Sequence, residues 1–446
     1  MRTIDVNALV DGARMNRFHW RVLFWCALIV VFDGYDLVVY GVVLPTLMRE
    51  WNLSPIQAGA MGSYALFGMM LGALIFGPLS DRIGRKRAIV ICVILFSGFT
   101  LLNGFARTPT EFSFCRFFAG LGIGGVMPNV VALMNEFAPK RIRSTLVALM
   151  FSGYSVGGML SASLGLVLLP NFGWQSVFYV AVVPLLLLPP ILRFLPESLG
   201  FMVRQGRGEE ARNTLQRLSP DYRGLPDDHL ELSLNRQPGG AVPQLFRQGR
   251  GVNTLMFWLT FFCCLLMSYA LSSWLPKLMT AAGYGFDSSL KFLLVLNIGA
   301  IVGAVGGGWL GDRFRLSRVL VVFFIVASIC ISLMGFKSSE WVLYLLVAVT
   351  GATTIGAQIL AYACVAQFYP MSIRSTGIGW ASGIGRIGAI IGPLLGGALL
   401  TLELPLNLNF MAFAVPGAVA AIAMCFVRTR APEQGTPTDL VAQPQS

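Results

Sequence analysis

Charge is what this 446-residue sequence has least of. Asp, Glu, Lys and Arg make up 12% of it, against 55% hydrophobic residues and a mean hydropathy of +0.70, which excludes a soluble globular protein of this length. Histidine occurs twice, as His19 and His229, both outside the apolar runs, so proton chemistry within those runs falls to carboxylates. The eight cysteines (Cys26, Cys92, Cys115, Cys263, Cys264, Cys330, Cys364 and Cys425) show no CxxC spacing. They read as small core residues and exclude a disulfide or metal framework. No Gly-rich nucleotide signature or ATPase domain is present, so no cofactor is implied and an ion gradient is the expected energy source. The N-terminus lacks a charged region, a short apolar core and a cleavage site in that order, so the first apolar run is expected to be retained rather than removed as a signal peptide. The short alternating segments of a transmembrane barrel are missing too.

What is present is a series of apolar runs of about 20 residues or more, each long enough to cross a hydrocarbon core of ~30 Å. Twelve helices are expected, near 20–47, 56–79, 86–106, 110–137, 143–168 and 174–194, then 251–279, 288–311, 317–336, 340–368, 374–399 and 405–427. The fold class is an all-α polytopic membrane protein. Its expected organisation is a cytoplasmic tail (1–19), a six-helix bundle (20–194), a cytoplasmic linker (195–250) with a short amphipathic helix at 209–218, a second six-helix bundle (251–427) and a C-terminal tail (428–446).

The net charge of +12 does not point to nucleic acid, because the basic residues sit in short loops rather than one stripe with interleaved aromatics. With a cytoplasmic N-terminus, the inside segments hold 26 of the 33 Lys and Arg, and the outside loops hold only Arg49, Arg107, Lys277, Lys291 and Lys337. That asymmetry is the positive-inside rule and puts both termini in the cytoplasm. Arg116 and Arg386 alone remain within helices.

One gapless offset of 231 residues relates three separate places. Leu44-Pro-Thr-Leu-Met48 falls on Leu275-Pro-Lys-Leu-Met279, and Gly77-Pro-Leu-Ser-Asp81-Arg82 on Gly308-Trp-Leu-Gly-Asp312-Arg313. Phe137-Ala-Pro139 through Ile142-Arg143-Ser-Thr145 falls on Phe368-Tyr-Pro370 through Ile373-Arg374-Ser-Thr376. The chain is therefore expected to be two parallel six-helix halves, with a substrate site near the midplane between them.

The intramembrane charges break that repeat. Asp33 maps to Cys264, Asp36 to Met267, Arg116 to Val347, and Arg386 back to Ser155. Asp33 and Asp36 are one turn apart in the first span, with Tyr40 a further turn along the same stripe. An ionised Asp at mid-bilayer costs roughly 2.5–3.5 kcal/mol on insertion scales, so the pair needs partners, water or a proton. A local role remains open, with Asp33 an N-cap or part of a kink at Gly34. Arg386 lies twelve residues into the eleventh span, ~18 Å deep at 1.5 Å per residue. Its fixed, forked charge suits a substrate carboxylate, and neutralising Asp33 or Asp36 is the alternative. Glu136, beside Lys140, Arg141 and Arg143, is either a gate ion pair or a surface pair. Tyr64, Tyr154, Tyr269, Tyr362, Trp274 and Trp380 are candidates to stack on a ring, with about a third of them expected to line a cavity and the rest to pack or anchor at the interface.

Gly77-Pro-Leu-Ser-Asp81-Arg82-Ile-Gly84-Arg85-Lys-Arg87 resembles the signature loop of the major facilitator superfamily, and Asp312-Arg313 lies in a degenerate second copy. The resemblance implies a gating role for Gly77, Asp81, Arg82, Gly84, Arg85, Asp312 and Arg313. Within the superfamily the chain is similar to the aromatic acid:proton symporters, through Asp33-Gly-Tyr-Asp36, Arg116-Phe-Phe-Ala-Gly-Leu-Gly122, Glu136 with Pro139 and Arg143, and the segment from Arg374 to Arg386. This implies that the paired Asp and these charges serve transport. Arg116 would assist proton transfer, a snorkelling interfacial arginine being the alternative, and Glu136, Arg143 and Arg374 would act in gating. Pro196-Glu-Ser198 with Arg204 resembles a motif shared by sugar and organic-ion porters and discriminates poorly.

The expectation is thus a proton-coupled importer of a benzoate- or hydroxybenzoate-like acid in a bacterial inner membrane, working by alternating access and functional as a monomer. Asp33, Asp36 and Arg116 would couple the proton, and Arg386, Tyr40 and Asp36 would bind substrate. A facilitator for another organic anion or a sugar is the rival, and a membrane enzyme or receptor lacks any visible catalytic constellation.

Overall fold

In a computed structural model, which describes residues 2–220, 222, 225, 228–231, 241–247, 249–369 and 374–427, twelve helices are long and apolar enough to cross a membrane. In the first half these are α1 (Arg17–Glu50), α2 (Pro55–Ile83), α3 (Arg85–Asn103), α4 (Pro109–Phe137), α5 (Arg143–Phe172) and α6 (Gln175–Phe194). The second half has α7 (Gly251–Ala281), α8 (Phe286–Arg313), α9 (Leu316–Leu333), α10 (Glu340–Phe368), α11 (Arg374–Thr401) and α12 (Leu406–Phe426). Some helix starts carry side-chain caps. Thr108 accepts from the Glu111 N–H ahead of Pro109, and Ser339, its counterpart 231 residues on, accepts from the Val342 N–H.

The same offset governs helix packing. Gly68 of α2 faces the Phe117 carbonyl of α4, where a Cβ would stand 2.1 Å away, and its twin Gly299 faces the Ala348 carbonyl at 1.9 Å. Gly120 meets the Ala65 carbonyl and its twin Gly351 the Leu296 carbonyl, each at 1.9 Å. These small residues let helix backbones touch where the lipid supplies no hydrophobic drive to associate. Gly41 of α1 packs on Ser272 of α7, its own counterpart, with 2.0 Å to the carbonyl from a Cβ position. The two halves are therefore related by a pseudo-twofold that passes between α1 and α7. Gly120→Ala is expected to cost about 1–3 kcal/mol or more by overpacking, read as a lower melting temperature of the detergent-solubilised protein.

Three features depart from the sequence reading. The N-terminal segment is folded rather than a plain tail. A strand β1 (Arg2–Asp5) pairs in parallel with β2 (Asp228–Glu231) from the linker, and a helix, Val6–Gly12, follows it. Asn16 then donates to the carbonyls of Arg217 and Leu218 at the end of the helix Gly208–Leu218. His19 is not in a tail at all; it is buried in the first turn of α1, where its side chain completes a capping box with Asn16. Finally, α6 is broken into Gln175–Tyr179, Val182–Leu186 and Leu188–Phe194. The expected tail 428–446 lies outside the described residues. All eight cysteines are free.

Candidate functional site

Sixty degrees of helix rotation separates residues three apart, and this sends Asp33 and Asp36 to different partners. Asp36 turns into the first half. The Arg116 Nη1 donates to its Oδ2 and to its backbone carbonyl, each at 3.1 Å, and the Thr100 hydroxyl of α3 donates to its Oδ1 at 2.5 Å. Arg116 is 1% exposed, so it is an internal residue and not a snorkelling one. Its guanidinium also lies 5.8 Å over the Tyr40 ring. Tyr40 was expected to touch substrate, but it sits in this same cluster. Its hydroxyl donates to the Ala58 carbonyl and its ring packs against Phe112.

Asp33 faces the second half. It is fully buried, and neither carboxylate oxygen has a hydrogen-bond partner among the described residues. The charges acting on it are Arg386 and then Asp36. The alternative of Asp33 as an N-cap is not met, since α1 is capped by Asn16 and runs unbroken through Asp33. Gly34 instead admits the α5 backbone, a Cβ there being 2.1 Å from the Tyr154 carbonyl, and so brings Tyr154 beside Asp33. Arg386 is half-buried. Its Nη1 donates to the Tyr269 hydroxyl at 3.4 Å and meets the Met69 sulfur at 2.9 Å. Tyr154 lies within hydrogen-bonding reach of Tyr269, and Tyr362, whose hydroxyl pairs with Ser382 at 2.9 Å, lies near Arg386 as well. Of the six aromatic candidates, these three tyrosines surround the guanidinium. Trp274 is buried with its Nε1 donating to the Pro393 carbonyl, Trp380 stacks on Trp258, and Tyr64 is exposed.

Arg386 also marks where the halves part. On the side away from the residue 77–87 loop, α2 and α11 touch backbone to backbone. A Cβ on Gly59 would be 2.5 Å from the Pro393 carbonyl, one on Gly397 would be 2.3 Å from the Pro55 carbonyl, and Ser63 donates to the Ile390 carbonyl at 2.6 Å. Towards the loop, Gly379 and Gly383 of α11 and Gly77 of α2 have, among the described residues, no atom beyond their own helix turn within 4 Å of where a Cβ would stand. Gly77 thus serves no close contact in this arrangement.

At that open end the loop residues clamp a second charged cluster. Arg85 pairs with Glu136, whose Oε1 also accepts from the Ser198 hydroxyl at 3.0 Å. Glu197 accepts from the backbone N–H groups of Lys86 at 3.1 Å and Ser198 at 2.9 Å. Gly84 stands between, at φ +94°, with a Cβ position 2.5 Å from the Glu197 carboxylate. Only glycine fits both that backbone and that space. The Glu197-Ser198 pair, set aside in the sequence as undiagnostic, is the partner of the signature loop. Gly84→Ala is expected to slow transport about tenfold through strain of 1–3 kcal/mol while the protein still inserts, measured as initial uptake per inserted molecule. Arg143 pairs instead with Asp11 of the N-terminal helix at 2.5 Å and donates to the Ala138 carbonyl, a partner that the polar tail gave no sign of. Arg82 is exposed, and Arg313 lies 4.0 Å over the Trp309 ring. The side chains of Asp81, Asp312 and Arg374 lie outside the described residues.

The comparisons agree with this architecture. Residues 25–310 and 298–446 match the family model described as Major Facilitator Superfamily. The chain is 46% identical to the benzoate transport protein of Acinetobacter baylyi over 99% of its own length and 96% of the relative's. It is 38% identical to the gentisate transporter of Corynebacterium glutamicum, covering 89% of this chain and 84% of that one, and 35% identical to the 4-hydroxybenzoate transporter PcaK of Pseudomonas putida, covering 95% of each. Among solved structures, the xylose transporter XylE of E. coli in a partially occluded inward open conformation superposes with a TM-score of 0.72 at 18% identity, over 93% of this chain and 98% of that one. That likeness speaks to the fold alone. With two pseudo-symmetric six-helix halves and relatives that are transporters of aromatic acids rather than enzymes, the chain belongs to the Major Facilitator Superfamily.

Proposed function

We propose that the protein imports a small aromatic carboxylate of the benzoate or hydroxybenzoate kind together with a proton, by alternating access across a bacterial inner membrane, with both termini and the 195–250 linker in the cytoplasm. The observation that carries this reading is the Arg386 guanidinium. It is half-buried between the halves, ringed by three tyrosines, and without a carboxylate at ion-pair distance among the described residues. A substrate carboxylate can take up its fork through two parallel hydrogen bonds while tyrosine rings pack on the aromatic ring.

Proton coupling follows from the neighbouring acids. Asp33 is the unpaired negative charge nearest Arg386 and competes with substrate for it. A proton on the Asp33–Asp36 pair removes that competition and lets substrate settle. Arg116, held on Asp36, links proton occupancy to helix packing in the first half. Contact at one end of the α2–α11 interface and separation at the other support an inward-facing state, with Arg85, Glu136 and Glu197 as elements of the gate on that side. The functional unit of this reading is the monomer.

Competition uptake tests the substrate. With labelled benzoate as the probe, benzoate-type acids are expected to compete, and aliphatic acids and hexoses are not. Competition by hexoses, or by aliphatic acids as strongly as by aromatic ones, would favour another facilitator class.

A further inference from the structure

We propose that protons reach Asp36 through a hydrated path inside the first half, bounded by α1, α3 and α6 and separate from the route of the substrate between the halves. The inference rests on reading Asp36 as a proton site and adds how that site is reached. Three independent observations carry it.

The first is a cavity of about 10 Å³ against Asp36 and Thr100, closed by Phe96 and by Val180, Ala181 and Pro184 of α6. Its size is at the lower bound for one water molecule. The second is a run of polar side chains on successive turns of α3, namely Ser97, Thr100 and Asn103, all 0–1% exposed. Thr100 donates to Asp36, while Ser97 Oγ, both polar atoms of Asn103 and the Arg116 Nε have no partner among the described residues. Burying such groups unpaired is costly, and bridging water is the usual remedy. The third is the break in α6 at the cavity wall. There the Ala181 N–H reaches the Phe178 carbonyl and the Val183 N–H reaches that of Val180, three residues back, because Pro184 has no N–H for the Val180 carbonyl. Irregular backbone at membrane depth is tolerated where it is buried in protein or lines water.

The order of groups gives the path a direction. Asn103 ends α3 on the side away from the signature loop, Thr100 lies one turn deeper, and Asp36 follows. A proton passed along bridging water adds to the Asp36 carboxylate, forming the acid and weakening its hold on Arg116. The substrate path, lined by Arg386 and the tyrosines, is not used.

Asn103→Leu tests this in proteoliposomes with labelled benzoate, because leucine keeps the volume and removes only polar atoms that lack a protein partner. Uptake driven by a pH gradient is expected to fall at least about tenfold while counterflow stays within about twofold of wild type, since exchange of substrate needs no net change in protonation. Asn103→Ser is expected to restore driven uptake. Should Asn103→Leu not reach the membrane, Ala181→Leu, which fills the cavity from α6, reads the same ratio. A wild-type ratio of driven uptake to counterflow in both variants overturns the proposal, as does an equal loss of both activities. Wild-type protein with no benzoate counterflow at all would instead strike the functional reading on which the path depends.

Discussion

Arg386→Ala is expected to reduce benzoate uptake by roughly a hundredfold or more, corresponding to the ~3 kcal/mol or more lost when one partner of a desolvated, hydrogen-bonded charge pair is removed. Protein should remain in the membrane, because among the described residues the half-buried guanidinium makes no ion pair at contact distance and bonds only to Tyr269 and Met69. Arg386→Lys separates charge from shape. It keeps a cation near Asp33 but loses the planar fork, so uptake should return in part, with weaker substrate binding. Counterflow and gradient-driven uptake should fall together in the alanine variant, since both require substrate to bind. Near-normal counterflow in Arg386→Ala would show that the carboxylate is held elsewhere.

The second large effect concerns Asp36. Asp36→Asn is expected to abolish proton-driven uptake, because an amide cannot carry the proton. It also leaves Arg116 buried without its counter-charge, and breaking a buried pair by removing one partner costs about 3–5 kcal/mol. Arg116→Ala should be as harmful to stability or more so, since it strands Asp36 and removes the cation over Tyr40. The double variant Asp36→Asn, Arg116→Gln should recover much of the melting temperature without recovering driven uptake. That difference, stability restored and transport not, separates a coupling role from a merely structural one. Driven uptake in the double variant would assign the pair to packing alone.

The pseudo-symmetry was legible in the sequence because close helix crossings demand glycine and the loops demand fixed charges. A single offset therefore aligns Leu44-Pro45 with Leu275-Pro276 and Asp81-Arg82 with Asp312-Arg313 in the sequence itself, and the paired crossings of Gly120 and Gly351 follow the same offset in the structure. Arg386 could be placed by counting from Arg374, since rise per residue fixes depth along a straight helix. What could not be read was which neighbour each face meets. Asp33 and Asp36 looked like one pair facing Arg386, but a 60° rotation between them is enough to give Asp36 to Arg116 and Thr100. Tyr40, four residues beyond Asp36, followed it into the first half for the same reason.

Thr100 gave no signal of its own. A hydroxyl in an apolar helix can bond to the preceding turn, and only the carboxylate across from it makes this one part of a site. The Glu197-Ser198 motif was visible, but its partner lay over a hundred residues away in the signature loop. The strand pairing of Arg2–Asp5 with Asp228–Glu231 was hidden for a related reason. Four-residue strands show too little alternation to announce themselves, and contacts between segments so distant in sequence leave no local pattern.

The most direct test of the account is accumulation of labelled benzoate by the purified protein in proteoliposomes under an imposed inward pH gradient, with and without a protonophore. Accumulation above equilibrium that collapses when the protonophore is added is the predicted result. Accumulation that is indifferent to the protonophore, or absence of benzoate transport in either condition, would contradict it.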